Sequence, residues 1–447
     1  MKLQDLMARF LLVFWAALAT GGTSAAAGSA VRSSDRPVDC EVGYYRLPGG
    51  GGVDLGPAAD GKLRWRRPDG TSGLLTPSGE RGWTSTLGWT GRPDGVQVDT
   101  RSCAKGHIIF KGQRAQREPL VVVESRFASG DVTLAGRLVL PPGRARVPVV
   151  VLVHGSEDFS ALRFYALQRL LPAVGVGAFV YDKRGTGASF GTFTHDISQL
   201  AGDAAAALSE VRRLTGPRLD RVGFYGTSQG GWTAPRAATL TRADFVMVGY
   251  GLAIKPIEQD QEALALDMTR HGFGPEETAK ALEIGKAAEA ILRSGFQSGY
   301  QELAALLASY RNEPWFPFVR GNLTRLMMEM PEATIRQIGP VAFNGVQPDY
   351  DPMPVLETLK VPQLWILGGE DIDAPHGETL RRLKKLKQEG HPISVVVYPH
   401  VEHGLFAFEE VDGNRLATRQ PVSLLELLKD FAATGRVKTS YRELPVD

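Results

Sequence analysis

The sequence has 447 residues, with 51 Lys and Arg against 49 Asp and Glu, and a formal net charge of +2 at pH 7. Such a balance argues against a nucleic-acid partner, because surfaces that bind nucleic acids are strongly basic. Beyond the N-terminus, no stretch is long and apolar enough to predict a membrane span.

Residues 1–27 have the pattern of a secretory signal peptide. A positively charged start precedes the apolar run F-L-L-V-F-W-A-A-L at residues 10–18. This run is about half of the roughly 20 residues that a spanning helix needs, which disfavours the alternative of a membrane anchor. Ala25 and Ala27 form an A-x-A pattern that predicts cleavage after Ala27, with Ala30 as a second choice. We therefore expect a secreted or periplasmic protein without stable membrane insertion.

Residues 28–118 predict a small β-rich module. Short alternations of apolar and polar residues, K-L-R-W-R at 62–66 and H-I-I-F at 107–110, lie between turns rich in Gly and Pro, as is typical of short strands. The two cysteines, Cys40 and Cys103, are expected to form a disulfide in an oxidising compartment, with two separate buried thiols as the alternative. No chemistry is recognisable in this module.

From residue 119 the pattern predicts an α/β fold with a doubly wound, mostly parallel sheet. A hairpin leads into V-P-V-V-V-L-V-H-G-S at 147–156, which is apolar without alternation, as expected for a strand buried on both faces. Helix-like and strand-like segments then alternate, as in βαβ units. The predicted elements are a helix at 162–171, a strand at 176–181, a helix at 197–214, a strand at 221–225, a helix at 229–240 and a strand at 245–248.

The stretch R-V-G-F-Y-G-T-S-Q-G-G-W at 221–232 predicts a strand, a tight turn and a helix, with Ser228 in the turn. Gly226, Ser228 and Gly230 fit the pattern G-x-S-x-G, whose small residues let a sharp strand-to-helix turn form around an exposed serine. The N-terminus of the following helix, from Gln229, favours a developing oxyanion. Ser228 is therefore a candidate nucleophile; a glycine-rich turn without chemistry is the alternative.

Residues 253–349 interrupt the alternation and predict a helical lid, after which the sheet resumes over 350–447. Aromatic and methionine side chains of this insertion could line an acyl or aryl pocket, or could pack the lid. These side chains are Trp315, Phe316, Phe318, Met327, Met328 and Met330.

Five motifs in order make the region from about residue 121 to the C-terminus resemble the α/β-hydrolase superfamily. They are H-G-S at 154–156, Y-D-K-R-G-T-G-A-S at 181–189, the turn around Ser228, P-Q-L-W-I-L-G-G-E-D-I-D-A-P at 362–375 and V-V-V-Y-P-H-V-E-H-G at 395–404. The resemblance is greatest to secreted bacterial carboxylesterases near the dienelactone-hydrolase and prolyl-oligopeptidase-like branches. It implies the chain order nucleophile, acid and base.

Residue chemistry assigns these roles. Ser228 needs a base that titrates near neutrality. His403 and His400 lie on the same loop, and His403 is preferred because Gly404 follows it and three residues separate it from Pro399. This spacing leaves the loop room to turn back towards the serine. The acid must orient the imidazole. Asp371 has the right position in its motif, and Asp373 is the competitor.

The oxyanion donors are expected to be the backbone N–H groups of Gln229 and Ser156. His154 is expected to shape the loop that carries Ser156. Asp182 and Arg184 are expected to form a structural ion pair and turn rather than to act in catalysis.

The sequence thus predicts a serine hydrolase that cleaves a small-molecule carboxylic ester through an acyl-enzyme, without a metal or cofactor. A peptidase of the same fold is the first alternative, in which acidic lid residues such as Glu258, Asp260 and Glu262 could hold a substrate amino group. The second is a non-catalytic protein that binds a ligand through the β-rich module. The oligomeric state is left open.

Overall fold

The computed structural model of the protein describes residues 40–79, 82–438 and 441. The predicted signal peptide, residues 1–27, lies outside this part. Within the described residues, no helix has the length and apolar character needed to cross a membrane. The predicted module boundaries, at 118/119, 252/253 and 349/350, stay predictions.

Eight antiparallel strands at the N-terminal end close into a barrel, in which the first strand pairs with both the second and the eighth. Large apolar side chains fill its interior, among them Tyr45, Leu55, Trp65 and Phe110, which are almost fully buried. The predicted β-rich module is thereby confirmed. The strands are β1 (Gly43–Arg46), β2 (Gly52–Pro57), β3 (Leu63–Arg66), β4 (Ser72–Ser78), β5 (Gly82–Leu87), β6 (Pro93–Asp99), β7 (His107–Phe110) and β8 (Gln113–Arg117).

The predicted disulfide is present. Cys40 and Cys103 are bonded, with their Cα atoms 5.3 Å apart. The bond joins the chain just before β1 to a short 3₁₀ turn between β6 and β7. It therefore closes a 63-residue separation around most of the barrel, which stabilises the fold by restricting the unfolded chain.

A second sheet of eight strands forms the centre of the larger body. From one edge to the other its order is β16, β15, β14, β13, β11, β12, β10, β9, and the five strand pairs from β16 to β12 are parallel. The predicted doubly wound α/β sheet is confirmed. Its strands are β9 (Val121–Ser129), β10 (Val132–Leu140), β11 (Val147–Val153), β12 (Gly177–Tyr181), β13 (Leu219–Thr227), β14 (Phe245–Gly249), β15 (Gln363–Gly368) and β16 (Ile393–Tyr398).

Helices cover both faces of this sheet, and two buried apolar clusters lie between the helices and the strands. One prediction was wrong in detail: the helix expected at 162–171 is two short helices, because Tyr165 takes an extended conformation between them. The helices of this body are α1 (Ala161–Phe164), α2 (Leu167–Ala173), α3 (Ile197–Thr215), α4 (Gly230–Leu240), α10 (Met353–Thr358), α11 (Gly377–Gln388) and α12 (Leu424–Thr434).

The insertion between β14 and β15 is helical and has an apolar core of its own. Trp315 and Met327 are buried within that core, and Phe316, Met328 and Met330 pack against it. These side chains therefore pack the insertion, which was the alternative to lining a substrate pocket. Its helices are α5 (Pro256–Arg270), α6 (Pro275–Arg293), α7 (Tyr300–Tyr310), α8 (Leu323–Glu329) and α9 (Glu332–Ala342).

The barrel is joined to the larger body by a buried ion pair. Arg169 on α2 donates from Nε to Asp54 Oδ1 at 2.5 Å and from Nη2 to Oδ2 at 3.0 Å. The side chain of Asp54 is fully buried and that of Arg169 is 9% exposed. Two charges in such a site stabilise the contact only as a pair, because either one alone would be left desolvated.

We expect Arg169→Ala to lower the free energy of unfolding by about 3–5 kcal/mol, because Asp54 would remain buried without its partner. Urea unfolding followed by tryptophan fluorescence would measure the loss. Arg163→Ala is the control, since Arg163 is exposed on the neighbouring helix α1 and its removal should cost less than about 0.5 kcal/mol. Equal losses in the two variants would contradict the assigned role of the ion pair.

Candidate active site

Ser228 lies in a strained turn between β13 and α4. Its backbone has φ = 52°, in the left-handed region that few residues other than glycine adopt. The flanking glycines are required by close approach: a Cβ on Gly226 would lie 2.1 Å from the carbonyl oxygen of Gly230, and a Cβ on Gly230 would lie 2.7 Å from that of His154. The turn presents the serine beyond the carboxyl end of a central strand, where ligands bind in sheets of this kind.

The structure brings Ser228, His403 and Asp371 together. His403 Nε2 lies 3.0 Å from Ser228 Oγ, and His403 Nδ1 lies 2.9 Å from Asp371 Oδ2. Asp371 is 2% exposed, and its other oxygen accepts N–H groups from Asp373 at 3.0 Å and Ala374 at 2.7 Å. These bonds fix the carboxylate, which in turn orients the imidazole towards the serine.

The competing residues, His400 and Asp373, have other hydrogen-bond partners. His400 is an exposed side chain whose Nδ1 lies 3.2 Å from Glu370 Oε1. Asp373 uses its backbone: its N–H donates to Asp371, and its carbonyl accepts a bond at 2.7 Å from Gln259 of the lid. Within the described part of the chain, neither residue forms a hydrogen bond or ion pair with Ser228, so the geometry favours His403 and Asp371.

Several carboxylates surround the imidazole. Burial of the ring favours its neutral form, but Asp371, Asp373 and Glu402 outweigh this effect and raise the pKa of His403 from 6.5 to about 9. Glu402 is 5% exposed, and its burial, with the nearby Asp373 and Asp371, raises its own pKa to about 7, although Arg415 acts in the opposite direction. The site therefore favours the imidazolium that forms when the serine loses its proton.

We expect kcat/KM for ester hydrolysis to fall as the pH is lowered, because only the neutral imidazole can accept the proton of Ser228. The midpoint should lie above 6.5 and towards 9, since the carboxylates raise the pKa of His403. Glu402→Gln removes one of these charges and should move the midpoint to lower pH. A pH–rate profile measures both effects; a midpoint at or below 6.5, unmoved in the variant, would contradict this electrostatic account.

The backbone amides expected to serve as oxyanion donors flank the serine. Gln229 begins the turn into α4, and Gly155, which precedes Ser156, lies against the nucleophile: a Cβ on Gly155 would be 3.3 Å from Ser228 Cβ. Within the described part of the chain, neither the Gln229 nor the Ser156 amide donates to another protein group. His154 is 3% exposed, and its ring meets that of Tyr181 edge to face, with ring centroids 4.8 Å apart. This packing stabilises the loop that carries Ser156.

Two neighbours of the site were missed by the sequence reasoning. The ring of Tyr250, just after β14, meets that of His403 edge to face at 4.9 Å. The second is His195, whose Nδ1 lies 3.1 Å from Nε2 of the Gln229 side chain. A sequence signal for Tyr250 exists, because it directly follows a buried strand; none marks His195.

The loop after β12 departs from its prediction. Asp182 and Arg184 do not pair with each other. Asp182 accepts bonds from Ser160 Oγ at 2.8 Å and from backbone amides of α1 and of its own loop, whereas Arg184 forms a buried bidentate pair with Asp203 on α3 at 2.7–2.8 Å. Both remain structural, but the partners come from helices that the sequence order does not reveal.

The small sheet on either side of the histidine in the sequence was not predicted. Its strands β17 (Val401–Glu402), β18 (Phe406–Val411) and β19 (Asn414–Arg419) flank His403 and form a hairpin that docks on the barrel. The Trp89 N–H donates to Ala417 O at 2.8 Å, and the Trp89 ring meets Phe406 at 4.5 Å. The barrel therefore supports the segment that carries the histidine.

A small cavity lies beside the nucleophile, beneath the lid. Lid residues Gln259 and Asn322 both donate to the carbonyl of Asp373, at 2.7 and 2.9 Å, so the lid is tied to the loop that carries the acid. The lining residues are Ser228, Gln229, Trp232, Tyr250, Gly251, Leu252, Gln259 and Ala374.

Comparison with known proteins agrees with this architecture. The sequence profile of the alpha/beta hydrolase family matches residues 150–417, which is more than half of the chain. The chain belongs to this family, and the resemblance found in the sequence is confirmed. A search by sequence among curated proteins gave no match.

Similar solved structures include esterases and a peptidase, at low identity. An esterase of Pyrococcus furiosus aligns over 64% of this chain and 84% of its own, with 15% identity and a TM-score of 0.41. The acylaminoacyl peptidase of Pyrococcus horikoshii aligns over 88% of this chain and 57% of its own, with 15% identity and a TM-score of 0.44. A thermophilic esterase from Thermogutta terrifontis aligns over 70% and 96%, with 16% identity and a TM-score of 0.36.

Proposed function

We propose that the protein is a serine hydrolase that cleaves carboxylic esters through an acyl-enzyme on Ser228. The proposal rests on two hydrogen bonds, which link Ser228 Oγ to His403 and His403 to the buried Asp371. A serine hydroxyl is a weak nucleophile at neutral pH, and an imidazole at 3.0 Å is positioned to accept its proton during attack.

The reaction would proceed in two steps. Ser228 Oγ attacks the ester carbonyl carbon while its proton passes to His403 Nε2; the tetrahedral intermediate then expels the alcohol, which takes that proton. Water next attacks the acyl-enzyme with His403 again as base, and the acid leaves as Ser228 regains its proton. In both steps Asp371 stabilises the imidazolium, and the Gln229 and Ser156 amides are proposed to bind the oxyanion. No metal or cofactor is required.

The proposed substrate has a small or medium acyl group. The side chains that line the cavity beside Ser228 are all uncharged, and such sites suit neutral acyl chains. The cavity is small, with a volume of about 10 Å³, so the proposal favours short acyl chains over long ones.

The structure weakens one argument for the peptidase alternative, that acidic lid residues bind a substrate amino group. Asp260 was expected as a possible anchor for a substrate amine, but it is buried within the lid and accepts Leu323 N–H at 2.6 Å and Thr324 Oγ1 at 2.6 Å. Glu258 caps the start of α5 and pairs with Arg382 at 3.1 Å. Both carboxylates therefore have structural partners, and we retain ester cleavage as the proposal.

We also propose that the protein is exported, to the periplasm or the medium. The disulfide supports this location, because such bonds persist in oxidising compartments. Expression with residues 1–27 intact, followed by fractionation and mass measurement of the product, tests it. A chain that stays in the cytoplasm at full length would contradict the proposal.

The substrate proposal is tested with two panels on the purified protein. p-Nitrophenyl acetate, butyrate and octanoate report ester cleavage, and aminoacyl and acylaminoacyl p-nitroanilides report amide cleavage; Ser228→Ala is the control for both. We expect turnover of the esters, fastest with the shorter chains, and little turnover of the anilides. Higher kcat/KM for an anilide than for every ester would replace the proposal with the peptidase alternative.

A further inference from the structure

Lys183, in the loop after β12, is a buried cation that the proposed reaction does not use. It is 2% exposed, and lysine side chains are almost never fully buried unless they are paired. Within the described residues, however, no carboxylate forms an ion pair with its ammonium group. Nζ instead donates to the backbone carbonyl of Gly155 at 2.8 Å and lies 4.8 Å from the centre of the Phe193 ring.

The carbonyl that accepts this hydrogen bond belongs to the loop of the proposed oxyanion donor. The carbonyl of Gly155 and the N–H of Ser156 belong to the same peptide group, and in a trans peptide the two point in opposite directions. The described part of the chain contains no cis peptide bond. Lys183 therefore holds one side of the peptide whose other side carries the proposed oxyanion donor.

Gly155 also lies directly against the nucleophile. A Cβ placed on it would be 3.3 Å from Ser228 Cβ, so the peptide fixed by Lys183 borders the reacting atoms. A charge-assisted hydrogen bond is stronger than a neutral one, and a hydrogen bond to a carbonyl polarises the N–H of the same peptide.

We propose that Lys183 is a positioning residue for the oxyanion hole: it orients and polarises the Gly155–Ser156 peptide so that the Ser156 N–H binds the oxyanion more strongly. This inference rests on the proposed function of Ser228. The ammonium group acts through the peptide and does not touch the substrate. Burial lowers the pKa of Lys183 to about 8 while Glu157 and Asp158 act the other way, so the group is still mostly charged at neutral pH.

The test compares Lys183→Met, which removes the donor, with Lys183→Gln, which keeps a neutral donor. For each variant, kcat and KM are measured with p-nitrophenyl butyrate at pH 7, together with the inhibition constant of an alkyl trifluoromethyl ketone, which forms an oxyanion adduct with a catalytic serine. We expect Lys183→Met to lower kcat about 10- to 100-fold. This is a smaller fall in kcat than the removal of an oxyanion donor itself causes. KM should change less than about twofold, and the ketone should lose affinity by the same factor as kcat.

Lys183→Gln should lie between wild type and Lys183→Met. Thr186→Val is the matched control: it removes a buried hydrogen bond of the same loop, from Thr186 Oγ1 to the Lys183 carbonyl at 2.9 Å, and should lower the melting temperature without a selective loss of ketone affinity. If Lys183→Met does not fold, Lys183→Gln is compared with wild type instead. The same criterion applies: a loss of kcat and of ketone affinity with little change in KM.

An unchanged kcat in both Lys183 variants, or a loss confined to KM and melting temperature, would overturn the inference while the proposed function stands. A wild-type protein that neither turns over the esters nor binds the ketone would overturn the proposed function, and this inference with it.

Discussion

Replacing His403 with alanine is expected to lower kcat for ester hydrolysis by roughly 10⁵-fold or more, as the loss of the base does in enzymes with a Ser-His-Asp triad. The reason is geometric: His403 Nε2 is 3.0 Å from Ser228 Oγ, and without it none of the residues that the structure describes hydrogen-bonds the serine hydroxyl to accept its proton. Steady-state kinetics with p-nitrophenyl butyrate measures the effect, with folding checked by circular dichroism.

The chain offers a matched control three residues away. His400 lies on the same loop but is exposed and faces Glu370, so His400→Ala should retain kcat within about a factor of two, as expected for a surface substitution. If the two variants lost similar activity, or if His400→Ala alone were inactive, the assignment of the base would be wrong.

Asp371→Asn is expected to lower kcat by about 10⁴-fold, because an amide in that place favours the wrong imidazole tautomer and cannot stabilise the imidazolium. The geometry should survive, since the asparagine oxygen can still accept the amides of Asp373 and Ala374. Kinetics at the pH optimum of each variant separates this loss from a shift of the pH profile.

Asp373→Asn is the corresponding control. It keeps the backbone bonds through which Asp373 acts and removes one charge that raises the pKa of His403. We expect less than a tenfold loss at the optimum, with the acid limb moved to lower pH, as a reduced pKa of the base requires. A larger loss in Asp373→Asn than in Asp371→Asn would reverse the choice of acid.

Local patterns were enough to predict much of the fold and the candidate site. The buried strands of the parallel sheet appear in the sequence as unbroken apolar runs. The turn around Ser228 is recognisable because close backbone contacts require glycine at 226 and 230. Chain order within a family resemblance then placed Asp371 and His403. Their meeting in space follows from the shared edge of the sheet, which the alternation of elements already implies.

Contacts between distant segments were not predictable in this way. Nothing near Arg184 in the sequence points to Asp203, and nothing in the barrel points to the hairpin after His403, because these partners are set by how the elements pack. The same holds for Lys183: its sequence position is typical of a solvated charge in a loop, and only its burial and its bond to the Gly155 carbonyl support the role proposed for it.

The most direct test of the account is covalent labelling of Ser228. The purified protein is treated with a fluorophosphonate, and the adduct is measured by intact mass and located by peptide mapping, with Ser228→Ala and Ser209→Ala as paired variants; Ser209 is exposed on α3. We predict one adduct per chain, on Ser228, in wild type and Ser209→Ala, and none in Ser228→Ala, together with loss of esterase activity. An unlabelled wild-type protein, or ester hydrolysis that persists in Ser228→Ala, would contradict the proposal that Ser228 is the nucleophile.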